Sequence, residues 1–267
     1  MRRPLRRVRK EALHAAAIPT FESRRSGKTL DEIRWVVAPG RMPRGRRAYV
    51  IGDIHGARGS LAHLHAQIRE DLAARPVPSA VAIHLGDYID QGPDSSGVVR
   101  LLRSGPFPGL TVVNLLGDHE RMLLQALDGD RAAATDWLWA GGAATLASWG
   151  LDPDLPREHW AEALPADDVA WLRGLALSHR EGGYLFVHAG IRPGVDITRQ
   201  AKDDLLTIRQ PFLSTEQEFG IVVVHGHSSV PSVTIQPNRI GLDTGAGMGG
   251  KLTCAVLEDD VIGLIAI

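Results

Sequence analysis

Aspartate and histidine stand repeatedly at the ends of apolar runs in this chain, and that pairing is what first suggests chemistry. The run 48–51 leads into Gly52-Asp53-Ile54-His55-Gly56, and 80–85 into Gly86-Asp87-Tyr88-Ile89-Asp90-Gln91-Gly92. The run 110–116 leads into Gly117-Asp118-His119-Glu120, 184–187 into His188-Ala189-Gly190, and 221–224 into His225-Gly226-His227. Pooled, these endings offer Asp53, His55, Asp87, Asp118, His188 and His227. Mixed oxygen and imidazole donors suit first-row divalent ions such as Mn, Fe, Zn, Co or Ni better than calcium, which takes oxygen alone. Six ligands are too many for one ion with an open position, but they fit two ions sharing a carboxylate. Two metals about 3.5–4 Å apart are a standard device for in-line attack at phosphorus. A water bridging them would be hydroxide near neutral pH, so no serine or cysteine nucleophile is required.

The apolar runs read as buried strands, which places every polar ending just past a strand's C-terminal edge. In open α/β sheets ligands bind there, where the loops leaving the strands converge. Helices are expected around 60–68, with Leu61, Leu64 and Ile68 on one face, and around 95–102. The resulting βαβαβ order predicts a parallel sheet flanked by helices. Residues 121–180 differ, being rich in alanine, leucine and tryptophan (Trp137, Trp139, Trp149, Trp160 and Trp171) without a strand run. Several short helices are expected, forming a cap inserted beside the rim, with the tryptophans packing them onto the sheet rather than lining a groove. Later strands at 232–235, 239–242, 252–256 and 261–262, separated by turn residues, predict an antiparallel, hairpin-rich sheet. The overall expectation is an α/β fold, a four-layer αββα sandwich of two mixed sheets with flanking helices.

The segments GDIHG, GDYIDQGP, GDHE, HAG and HGHS resemble, in order, the GDxHG, GDxxDRG, GNHE, H(A/G)G and GH motifs of the calcineurin-like metallophosphoesterases, nearest to the bacterial phosphoprotein phosphatase branch. The resemblance runs from about residue 49 to the C-terminus and also implies the four-layer sandwich. Carried over, it implies that Asp53 and His55 hold one metal, Asp87 bridges, and Asp118, His188 and His227 hold the second. His119 would protonate the leaving oxygen, oriented by Asp90.

Three departures stand out. The arginine that the family carries after its second aspartate is Gln91, the asparagine of GNHE is Asp118, and the arginine often found before that motif is Leu116. Two cations are lost and one negative charge is gained, so phosphate should be held less tightly. Arg192 and Arg209 are the candidates to replace the lost cations. Asp243, following another strand, is expected behind the metal ligands, and the glycine-rich loop 245–250 reads equally as a border of the pocket or as an ordinary hairpin loop. His225 is expected to be structural, and His63 and His65 to be surface or boundary residues.

With 267 residues, 44% hydrophobic and 23% charged, the composition is that of an ordinary globular protein. The formal charge of −1 argues against bulk attraction to nucleic acid, although the first 47 residues carry a strong positive excess. Residues 1–46 are therefore read as a basic N-terminal extension, partly disordered, and 47–267 as the metallophosphoesterase domain. A short amphipathic helix is expected at 28–36. The basic start lacks a following apolar h-region, no run is long enough to span a membrane, and Cys254 is the only cysteine. These features lead to an expected cytoplasmic location, with neither membrane nor nucleic acid as partner.

The expected activity is that of a dinuclear metal-dependent phosphoesterase, a phosphoric ester hydrolase of the EC 3.1.3 type. It would cleave phosphomonoesters by metal-hydroxide attack, serine/threonine protein phosphatase-like, on a phosphoprotein or small phosphoester. Mn is the first choice for both ions. One alternative is hydrolysis of a dinucleoside polyphosphate such as diadenosine tetraphosphate; another is a non-catalytic metal- and phosphate-binding module.

Overall fold

The computed structural model describes residues 33–267. Its strands and helices alternate at first: β1 (Val36–Val37), β2 (Arg46–Ile51), α1 (Arg58–Ala74), β3 (Ser79–His84), α2 (Ser95–Arg103) and β4 (Thr111–Asn114). A helical stretch follows, with α3 (Asp118–Leu127), α4 (Arg131–Trp137), α5 (Ala143–Ser148), α6 (Trp160–Ala163) and α7 (Ala166–Arg173). The chain then returns through β5 (Ser178–Glu181), β6 (Tyr184–Val187), α8 (Lys202–Thr207), β7 (Val222–His225), β8 (Thr234–Ile235), β9 (Arg239–Gly241), β10 (Thr253–Glu258) and β11 (Val261–Ala266).

The strands form two sheets, ordered β1-β11-β10-β2-β3-β4 and β5-β6-β7-β9-β8. Both are mixed. In the first, β2, β3 and β4 run parallel, while β10 is antiparallel to β2 and to β11. In the second, β6, β7 and β9 run parallel and β5 and β8 pair antiparallel at the edges. The C-terminal strands thus do not make the separate antiparallel, hairpin-rich sheet expected from their turn residues. The hairpin β10–β11 joins the first sheet instead, where β10 pairs with β2 and supplies partners for backbone groups on its buried edge.

Alternation along β2 explains the layering. Ala48 and Val50 face the second sheet and pack with Phe186, Val224 and Ile240, whereas Tyr49 and Ile51 face α1 and α2. Leu61, Leu64 and Ile68 of α1 are fully buried on that outer side, on the face their spacing predicts. On the far side of the second sheet, Leu185, Val187 and Val223 pack against Leu205 of α8 and Phe212. Three apolar interfaces separate four layers: helices, sheet, sheet, helices.

Two local expectations change. Of the helix predicted at 28–36, residues 28–32 lie outside the described residues, and Val36–Val37 pair with β11 as an edge strand. His65 is not a boundary residue but is buried against Phe107, with its Nε2 3.0 Å from Nε2 of the equally buried His84; His63 is exposed.

Candidate metal centre and acid dyad

All five polar endings reach one rim, and the backbone there is unusual. Of the six non-glycine residues with left-handed φ among the described residues, five are His55, Asp87, Asp90, Gln91 and His227. Such a conformation costs roughly 1–3 kcal/mol per residue and persists only where surrounding contacts enforce it. Much of that enforcement comes from Glu120, buried in the first turn of α3. Its Oε1 accepts the amides of Tyr88 and Ile89 at 2.7 and 3.2 Å, and its Oε2 those of Asp87 and Gly117 at 3.0 Å each. Glycine is required at two close approaches. A Cβ on Gly117 would overlap Asp87 Oδ1, and one on Gly226 would overlap Asp53 Oδ1.

Two sets of donor atoms converge on Asp87. One comprises Asp87, Asp118, His188 and His227; the other comprises His55, Asp87 and His119. Asp118 Oδ1 lies 2.9 Å from His188 Nε2 and 3.0 Å from His227 Nδ1, and His55 Nε2 is 3.4 Å from Asp87 Oδ2. The tautomers follow from the outer partners. His188 Nδ1 lies 2.9 Å from the Leu85 carbonyl and His55 Nδ1 2.9 Å from the Ile89 carbonyl. A carbonyl only accepts, so both rings donate from Nδ1 and turn an Nε2 lone pair toward carboxylate oxygen.

Lone pairs set against carboxylates require a proton or a cation between them, and further unpaired atoms line the same space. Asp53 Oδ2 accepts the His227 amide at 2.7 Å, while its Oδ1 is buried without a hydrogen-bond partner, as is His227 Nε2. The donor set therefore fits divalent ions, by its chemistry and by its unsatisfied atoms.

Titration behaviour carries the same signature. Burial, reinforced by the charge of Asp243, pushes Asp53 well above the usual carboxylate range. Burial also raises Glu120 to about 8, with the charge of Asp87 adding to it. Although burial opposes it, hydrogen bonds from His188 and His227 hold Asp118 low. Against the lowering effect of burial, Asp87 and Asp118 raise His188 well above the histidine range. Cations among these carboxylates would offset that pull on the histidine protons.

His119 stands beside this cluster. Its Nδ1 is 2.7 Å from Asp90 Oδ2, its Nε2 is 4.0 Å from Asp87 Oδ2, and its ring meets His55 edge-on at 4.7 Å between centroids. Burial alone would lower its pKa, but the charges of Asp87 and Asp90 carry it up to about 10.

The remaining sequence candidates divide. Asp243 is buried, accepts the Gly245 amide at 2.9 Å and acts on Asp53 through its charge. Gln91 lies between two glycines, with Gly141 of the helical stretch on one side and Gly247 of the 245–250 loop on the other. Arg192 is engaged elsewhere, in a two-pronged ion pair with Asp204 at 2.7 and 2.5 Å. Arg209 is exposed on the segment after α8. His225 is buried against Phe212 with its pKa lowered to about 4 by burial. Sequence reading assigned no role to Glu120 or Thr145, and to Trp137 only a packing one. For Glu120 a signal existed, since it stands three residues after Gly117 at a helix start, where a carboxylate reaches back to free amides. Of the tryptophans, Trp137 and Trp160 are fully buried and meet edge-on, whereas Trp139 is 88% exposed.

No helix among the described residues is long and apolar enough to cross a membrane. The chain is 34% identical over 148 residues to a symmetrical bis(5'-nucleosyl)-tetraphosphatase of Aromatoleum aromaticum, an alignment covering 55% of this chain and less than half, 45%, of that protein. It is 29% identical over 226 residues to serine/threonine-protein phosphatase 1 of Salmonella typhimurium, covering 80% of this chain and 93% of the relative. A solved structure described as a candidate diadenosine tetraphosphatase superposes with a TM-score of 0.60 at 26% identity, over 82% of this chain and 93% of that one. A cold-active protein tyrosine phosphatase shares the fold alone, with a TM-score of 0.55 at 14% identity over 85% and 83% of the two chains. The family model of the calcineurin-like phosphoesterases matches residues 46–262, a stretch that contains every donor atom of the rim, and the chain belongs to that family.

Proposed function

We propose that this protein is a dinuclear metal-dependent hydrolase of phosphomonoesters, with serine/threonine protein phosphatase-like chemistry. The observation that carries the reading is Asp87, shared by two donor clusters with the His119–Asp90 pair beside it. Asp53, His55 and Asp87 would hold one ion; Asp87, Asp118, His188 and His227 would hold the other. Asp53 is preferred to His119 as a ligand because its Oδ1 has no other partner, whereas His119 is committed through Nδ1 to Asp90. Bound there, two divalent ions would supply Lewis acidity toward the phosphoryl oxygens and would lower the pKa of a water enough to make hydroxide available near neutral pH. Mn is the proposed metal.

The protein's own groups account for the other half of the reaction. Asp90 accepts a hydrogen bond from His119 Nδ1–H, which fixes the ring and leaves Nε2–H as the proton donor to the departing oxygen. Glu120 holds the Asp87–Ile89 loop in its left-handed turn, so the shared carboxylate cannot swing away. Arg209 is the preferred additional phosphate contact, since Arg192 would first have to leave Asp204. Residues 1–46 are proposed as an extension to a domain spanning 47–267, and the cytoplasm as its location.

A second reading, hydrolysis of dinucleoside polyphosphates, is favoured by the Aromatoleum relative and by the solved structure at 26% identity. The test is hydrolysis of p-nitrophenyl phosphate, a phosphoserine peptide and diadenosine tetraphosphate by chelated protein with Mn, Ni, Co, Zn or Mg restored singly. Turnover of the monoesters restored by a transition metal and abolished in Asp87→Asn is expected. Cleavage of the dinucleotide alone would shift the assignment to the second reading.

A further inference from the structure

Asp90 is fully buried, and the groups that hold it come largely from the helical stretch rather than from its own loop. Its Oδ2 accepts a hydrogen bond from His119 Nδ1–H. Its Oδ1 accepts two more hydrogen bonds, from the Trp137 indole Nε1–H at 3.0 Å and from the Thr145 hydroxyl at 2.6 Å. Thr145 Oγ1 also accepts the Asp90 amide at 2.8 Å and sits 3.0 Å from Ser95 Oγ. Both side chains are completely buried. They bracket an irregular turn, Leu138–Gly142, with Gly141 at φ 111°, packed against the Gln91 backbone.

We propose that Trp137 and Thr145 are positioning residues for the proton donor, acting on His119 through Asp90. This rests on the hydrolase reading above, and it makes the 137–145 segment part of the acid machinery rather than a cover over it. The physical reason lies in the carboxylate. An ionised aspartate buried without enough donors either protonates or rotates toward better partners. Two neutral donors on Oδ1 satisfy one oxygen and lock the carboxylate plane, leaving Oδ2 aimed at the imidazole. Neither donor neutralises the charge, so Asp90 still fixes which ring nitrogen of His119 bears the proton on its side.

The decisive variants are Trp137→Phe, which keeps an aromatic ring but loses the N–H, and Thr145→Val, which keeps the shape but loses the hydroxyl. Thr145→Ser is the conservative rescue. A displaced proton donor harms poor leaving groups more than good ones, because a nitrophenolate departs with little protonation and an unsubstituted phenolate does not. The expected result with the Mn-loaded 267-residue chain is that the kcat ratio of p-nitrophenyl phosphate to phenyl phosphate rises about tenfold in Trp137→Phe and in Thr145→Val, a part of the roughly 10²–10⁴-fold that a whole general acid supplies. KM and bound metal per chain should stay near wild type, and Thr145→Ser should restore the ratio. In parallel, the downfield proton NMR signal of His119 Nδ1–H, assigned by its loss in His119→Asn, should shift or broaden in both variants of the metal-free protein and return in Thr145→Ser. Folded, metal-binding variants with an unchanged leaving-group ratio and an unmoved His119 signal would overturn the proposal. Were wild type to hydrolyse neither ester, the hydrolase reading would fall, while the NMR signal would still decide whether Trp137 and Thr145 position His119.

Discussion

Strand β2 ends in buried charge at both extremities, and the two clusters are built on opposite terms. At its start Arg47, 2% exposed, donates to Tyr49, Asp71, Glu258 and the Arg75 carbonyl, and Asp71 collects further bonds from Tyr49 and Arg75. Positive and negative charges are matched there and each has several partners. At its far end, Asp53 enters a region where carboxylates face imidazoles, where Asp53 Oδ1 and His227 Nε2 have no partner, and where left-handed backbone is concentrated. The first cluster spends its polar atoms on the protein. The second reserves them, and strain tolerated at a rim is what a binding site needs rather than what stability favours.

Four measurements would break or sharpen that contrast. The largest effect is expected from His119→Asn, which should lower turnover about 10²–10⁴-fold, the range for a lost general acid, while metal content by elemental analysis stays at wild-type level. An equal loss of metal and activity would make His119 a ligand, in line with its grouping with His55 and Asp87. At the other end, Asp71→Ala should cost about 3–5 kcal/mol in urea unfolding, since Arg47 would stay buried with fewer partners, and turnover per folded molecule should not change.

A third buried polar group lies between these extremes. His65 and His84 share one hydrogen bond, both Nδ1 atoms lack partners, and burial lowers their pKa values to about 4 and about 3. Both remain neutral in the folded state and gain protons on unfolding. Their effect on stability is absent well above the unfolded pKa of about 6.5 and becomes a loss as pH falls from there toward about 4. The slope should reach up to about 1.4 kcal/mol per pH unit for each, measured by urea titrations in metal-free protein, and His65→Gln should fall less steeply. The smallest effect is expected from Gln91→Arg. A charged donor beside the rim should lower KM for p-nitrophenyl phosphate by roughly tenfold, the worth of one hydrogen bond to a charged group, and an unchanged KM would place the phosphate away from residue 91.

The parts of the site readable in the chain are those whose signal is local. An apolar run followed at once by glycine, aspartate and histidine needs only strand geometry to carry its donors to one rim, so Asp53, His55, Asp87, Asp118, His188 and His227 could be pooled before any contact was known. The same locality limits charge arguments. Arg192 follows a metal-type motif and looked free to bind phosphate, yet Asp204, twelve residues on, has claimed it. His65, two positions from the exposed His63 and on a different face of α1, looked like a surface or boundary residue, while its burial is decided by Phe107 and His84 from elsewhere in the chain.

The sequence by itself therefore determined the donor types, their order and the strands that deliver them, because each of those is set by a few consecutive residues. Only the tertiary structure decided that β10 and β11 close the first sheet, that Glu120 clamps the Asp87 loop, and that Trp137 and Thr145 hold Asp90 across separations of 47 and 55 residues. A hydrogen bond over such a distance depends on how whole helices pack. Neither tryptophan nor threonine carries any local mark that distinguishes a side chain filling the core from one holding a carboxylate in place.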